Sequence, residues 1–138
     1  MKYPLLSLLI LFSSFVIGQN EESKSPKIAI KVPLNQSVIL KGVTIKFSDV
    51  IEDSRCPEGV NCIWAGRAIV KVEVTSNGNT TEKELIFGEV RPGEQKNSKL
   101  FGSTEFALKG LTLNPYPNVN NAHEEIEYEL LIFEEKIQ

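Results

Sequence analysis

The fold this sequence predicts is an antiparallel two-layer β-sandwich, and three observations predict it. Apolar residues recur at alternate positions, turn-forming residues interrupt them at short intervals, and no stretch carries the apolar stripe of an amphipathic helix. With 138 residues, 41% of them hydrophobic, the chain has material for one core and not for two.

The elements follow in order. Ile28 to Val32, closed by Pro33, and Ser37 to Leu40, closed by Gly42, are short runs rich in β-branched residues and read as early strands. Val43, Ile45 and Phe47 alternate with Thr44, Lys46 and Ser48, which gives a strand with one buried face. Ala68, Val70, Val72 and Val74 repeat the pattern. Ser76-Asn77-Gly78-Asn79 then supplies residues able to take positive φ, and Thr81, Lys83, Leu85 and Phe87 resume the alternation, so a hairpin joins the two strands. Glu89 to Phe101 contains Pro92 and Gly93 with almost no apolar stripe and reads as a long surface loop. Phe106 and Leu108 share one parity, Leu111 and Leu113 the other, and a β-bulge near Gly110 would restore a single inward face. Asn114 to Asn118 is a turn or extended loop. From Glu125 the acids alternate with Ile126, Tyr128, Leu130 and Ile132, with Leu131 and Phe133 on the opposite face, which makes the last strand. About seven strands result, in an immunoglobulin-like or jelly-roll-like sandwich, with a partly closed barrel as the competing all-β solution.

Ahead of this domain lies an address. Lys2 precedes an apolar run from Leu5 to Ile17 that is too short to span the hydrocarbon layer and ends at Gly18 before a polar stretch. Residues 1–18 are therefore expected to be a signal peptide cleaved after Gly18, residues 19–26 a flexible leader, and residues 27–138 one domain. The product is expected to be periplasmic or secreted, with no membrane span in the mature chain. Fifteen Lys and Arg against 18 Asp and Glu disfavour a nucleic-acid partner.

The unusual residues concentrate between Asp49 and Gly66. In an exported chain with only two cysteines, Cys56 and Cys62 are expected to form a disulfide. Pro57 and Gly59 allow the chain between them to turn back. Trp64, the single tryptophan, comes two residues after Cys62 and is expected on the same strand face, beside the sulfur atoms or over the end of the sandwich. The string DSRCPEGVNCIWAG, followed by AIVKVEV, LNPYPN and EYELLIF, resembles a group of small exported bacterial proteins of Bacteroidetes-type lineages. That group carries no settled activity. The resemblance implies that Asp53, Arg55, Cys56, Pro57, Cys62, Trp64, Ala65 and Gly66 belong to one motif. Many relatives are lipoproteins, but this chain has no cysteine near Gly18 to carry a lipid.

Several sites compete. Asp49, Asp53 and Glu58, with Glu52 and Asn61 nearby, are oxygen-rich enough to suggest calcium, although the spacing is not that of an EF-hand. Asp53 with Arg55 and Arg67 suggests an ion pair bracing the loop, of little energetic value if exposed. Cys56, Cys62 and His123 lack a fourth zinc ligand, and no other cofactor is implied. Catalytic templates are missing, a small hydrolase would have to use His123 as its base, and a non-enzymatic role is expected. Trp64 and Tyr116, with Arg55 and Arg67, form the candidate surface for a protein or glycan partner, and the two aromatics are expected to be accessible neighbours at one end.

Overall fold

The structure is a computed structural model describing residues 28–121 and 124–137. Within them the chain forms eight strands: β1 (Ala29–Pro33), β2 (Ser37–Leu40), β3 (Val43–Asp53), β4 (Arg67–Ser76), β5 (Asn79–Gly88), β6 (Lys99–Gly102), β7 (Phe106–Asn114) and β8 (Glu129–Lys136). They make two antiparallel four-stranded sheets, β2-β3-β4-β5 and β1-β8-β7-β6, and no closed barrel. The expected sandwich is therefore the fold. The signal peptide, the leader and His123 lie outside the described residues.

The core is the inner face of each sheet. Val43, Ile45 and Phe47 of β3, Ala68, Val70, Val72 and Val74 of β4 and Leu85 of β5 face Val32, Leu100, Leu108, Leu113, Leu130 and Ile132 of the other layer. Each fully buried Val, Leu, Ile or Phe contributes about 1.5–3 kcal/mol relative to exposure. The alternation on β4 and β5 is the visible trace of this face, and Asn77 and Gly78, both at positive φ, close their hairpin as expected.

Four differences from the expected elements have physical causes. β3 runs on to Asp53, past the end of its Val43–Ser48 alternation, because the ladder to β4 is irregular between Phe47 and Asp49 and again between Val50 and Glu52. Each irregularity resets the side-chain parity, so Phe47, Val50 and Asp53 stand opposite Val72, Val70 and Ala68 on the inner face. The two resets cancel, so Asp53 keeps the inward parity of Val43, Ile45 and Phe47 at the end of the sandwich. Second, Lys99–Gly102 is a strand and not part of the loop before it. A short strand with a register shift and a single core residue, Leu100, leaves no alternation to read. Third, the last strand begins at Glu129, so Ile126 is half-exposed in the connection before it. Fourth, Leu131 is only partly buried, whereas Phe133 is buried as expected.

The bulge near Gly110 is present. The register of β7 against β8 shifts between Gly110 and Thr112, which leaves Leu111 partly exposed while Phe106, Leu108 and Leu113 stay inside. The opposite sheet comes close at Gly110: a Cβ there would lie 2.7 Å from Leu85 Cδ1 and 3.0 Å from Phe87 Cζ.

Candidate functional site

The loop from Ser54 to Gly66 joins β3 to β4, and its base is laced before its tip turns. The Ser54 amide donates to the Arg67 carbonyl at 2.8 Å and the Cys56 amide to the Ala65 carbonyl at 2.9 Å. Two strands can approach this closely only because Gly66, at φ +71°, has no side chain: a Cβ would overlap the Ser54 carbonyl oxygen. Beyond the base, Cys56 and Cys62 form the expected disulfide across a Cα separation of 6.0 Å. Between them the Val60 amide returns to the Pro57 carbonyl at 3.2 Å. The ring is also tied to the β7–β8 connection. The Glu58 amide donates to the Pro117 carbonyl at 2.9 Å, and Asn118 Nδ2 donates to the Glu58 carboxylate at 3.3 Å.

Under the loop lies a buried ion pair. Arg55, only 7% exposed, donates from Nε and Nη2 to the two oxygens of Asp53, each at 2.7 Å. Its remaining bonds run to backbone across the sandwich end, to the Leu113 carbonyl at 2.6 Å and the Pro115 carbonyl at 3.0 Å. Tyr116 covers the guanidinium, its ring centroid 5.0 Å away. The Tyr128 hydroxyl donates to Asp53 at 3.0 Å. Burial alone would push the Asp53 pKa up, but the Arg55 hydrogen bonds and charge, with the Tyr128 hydroxyl, outweigh it and hold the carboxyl below its ordinary range. Burial first, and then the adjacent Asp53 charge, pushes the Tyr128 hydroxyl up. One guanidinium thus joins β3, the end of β7 and the connection that follows it.

Arg67 belongs to a different network, which corrects the expected grouping of Asp53 with both arginines. It stands on the outer face of the sheet with Glu52, opposite in direction to Asp53. Its guanidinium meets Glu52 at 3.2 Å and Glu94 at 2.5 Å. Arg91 reaches Glu52 at 3.5 Å, and its amide donates to Glu94 at 2.9 Å. Hydrogen bonds from Arg67 lower the Glu52 pKa, and the Arg91 amide followed by Arg67 lowers that of Glu94. The same bonds, led by that to Glu52, raise the pKa of Arg67. This cluster pins the loop between β5 and β6 to the same end of the sandwich.

The remaining candidates are placed as follows. Asp49 stands exposed on β3, Asp53 is committed to Arg55 and Tyr128, and Glu58 receives Asn118. Among the described residues no three His, Cys, Asp or Glu side chains converge as a metal site, and no helix is long and apolar enough to cross a membrane. Trp64 is not on a strand and is not buried against the disulfide or the end of the sandwich. It sits in a bend after Cys62 with 72% of its surface exposed, because the Ser54–Gly66 base closes beneath it and leaves the tip without a surface to lie on. Tyr116 is also accessible, but it lines a cleft with Arg55, whereas Trp64 lines another with Cys62 and Arg91. The two aromatics therefore share an end of the molecule without sharing a cleft.

Sequence reasoning passed over Ile63, 92% exposed beside Trp64, the partners Tyr128 and Glu94, and the pairing of Glu52 with Arg67. An adjacent Ile-Trp pair inside an otherwise polar loop was the available signal for the first; Tyr128 and Glu94 are distant in the chain from Asp53 and Arg67 and carry none. No family model matches this chain, and comparison with curated proteins and with solved structures likewise finds no match.

Proposed function

We propose that this chain is an exported, non-enzymatic binding domain of the cell envelope or exterior, and that Ile63 and Trp64 at the tip of the disulfide loop are its contact residues for a protein or glycan. The observation that carries this reading is a contrast within one loop. Asp53, Arg55, Cys56, Cys62, Ala65 and Gly66 all hold the loop in shape, whereas Ile63 and Trp64 touch the fold least and present large apolar surface to water. Burying either on a partner would gain about 1.5–3 kcal/mol, and a rigid aromatic anchor loses little entropy on binding. A disulfide suits an oxidising compartment.

Photo-cross-linking in the native host tests the reading. A photoreactive residue at position 63 is expected to give a discrete adduct that disappears in a Trp64→Ala background, while the same residue at position 39, also exposed but on β2, gives none. Trp64→Ala is expected to stay within about 0.5 kcal/mol of the parent in stability, as exposed positions do. Identical adducts from both positions, or none from position 63, would reject the tip as the contact surface.

A further inference from the structure

A cleft of about 430 Å³ opens on the flank of the sandwich, between the end of β5 and the bulge of β7, separate from the Ile63–Trp64 tip. Its volume is that of a small-molecule site. Phe87 and Leu111 supply its apolar surface, and Leu111 is there because the bulge turns it away from the core. Its polar groups are the Lys96 ammonium and the hydroxyls of Ser98, Thr112 and Tyr116. Among the described residues these four side-chain groups have no hydrogen-bond or ion-pair partner. Arg55 also lines the cleft, but its charge is matched by Asp53. No Asp or Glu lines it, although acids outnumber lysines and arginines 18 to 15 in the chain. Lys96 is thus an uncompensated cation in a cleft that also carries apolar surface and three unpaired hydroxyls.

We propose that this cleft binds a small aromatic monocarboxylate, its carboxylate on Lys96 and its ring against Tyr116, Phe87 and Leu111. The aromatic ring is favoured over an aliphatic chain by Tyr116, which lines the cleft with Arg55 over its ring and is itself half-exposed. The three hydroxyls favour a ligand carrying a further polar substituent besides its carboxylate. The inference does not depend on the contact role given to Trp64.

The test is a titration of the isotopically labelled protein with 4-hydroxybenzoate, followed by NMR, in parallel with 4-hydroxybenzyl alcohol and with glucuronate. Saturable shifts are expected at Leu111, Thr112 and Tyr116 with the benzoate. Lys96 is exposed, so Lys96→Gln keeps the fold; it is expected to weaken binding about tenfold, the loss of one charge-assisted hydrogen bond. Trp64→Ala is expected to leave binding unchanged. The proposal is overturned if millimolar 4-hydroxybenzoate gives no saturable shifts, if the neutral alcohol binds as well, if glucuronate binds better, or if Lys96→Gln has no effect.

Discussion

Arg55 and Gly66 show how single residues hold the loop end together. Arg55 satisfies a buried carboxylate and two backbone carbonyls at once, so its removal takes a donor from all three and leaves the carboxylate without its counter-charge. Arg55→Ala is expected to destabilise the domain by about 3–5 kcal/mol, the range for breaking a buried pair by deleting one partner. Urea unfolding measures it, and Tyr128→Phe, which removes one neutral donor to Asp53, is expected to cost about 1 kcal/mol in the same assay. Lysine is a poor substitute at position 55 because one ammonium cannot reproduce two parallel bonds to Asp53. Gly66→Ala combines a disfavoured φ with a clash against the Ser54 backbone, and a loss of about 3 kcal/mol or more is expected.

Among the elements, the disulfide ring and the two bulged strands do different work. The ring constrains only the tip, whose base is already closed by backbone bonds from Ser54 and Cys56 and by Glu58 against the β7–β8 connection. For a loop of about seven residues the chain-entropy gain is about 2.4 kcal/mol. Cys56→Ser is therefore expected to lower the melting midpoint by about 10 °C without abolishing the fold, as calorimetry would show. Unfolding at room temperature on reduction would mean that the β-strand core is weaker than its buried residues imply. The irregularities of β3 matter for position more than for stability. Together they advance β3 by two residues against β4, so Asp53 keeps the inward parity of Phe47 and stands opposite Ala68, whereas a regular ladder would carry it on to Gly66.

For the whole molecule, pH couples to stability mainly through Asp53. Its folded pKa lies below the unbound aspartate value of 3.8, so its contribution is complete above that value and is lost as the pH falls through the depressed one. Glu52 and Glu94 shift in the same direction and act in the same acid window from the rim. Asp53→Asn is expected to be less stable than the parent at neutral pH and to show a flatter decline below pH 3.8, measured by urea midpoints along a pH series. A parallel decline in both proteins would show that the pair is not the source of the acid limb. At the alkaline end the sign reverses: Tyr128 stays protonated above its ordinary 10.0 in the folded state, so its contribution is present below that value and lost as the pH rises through the raised one.

The amino-acid order determined by itself whatever repeats locally. The alternation of Ala68 to Val74, the Asn77-Gly78 turn, the parity break at Gly110 and the pairing of the only two cysteines are each readable within a few residues, because pleat, turn and ring closure are short-range constraints. Tertiary structure alone decided the rest. Which arginine meets which acid cannot be read from alternation, because two irregularities in β3 interrupt it between Phe47 and Asp53, and the partners Tyr128 and Glu94 lie far along the chain from Asp53 and Arg67. Leu100 is buried and Trp64 exposed for the same reason: whether an apolar side chain finds cover is settled by the opposite layer, which reaches β6 and stops short of the loop tip.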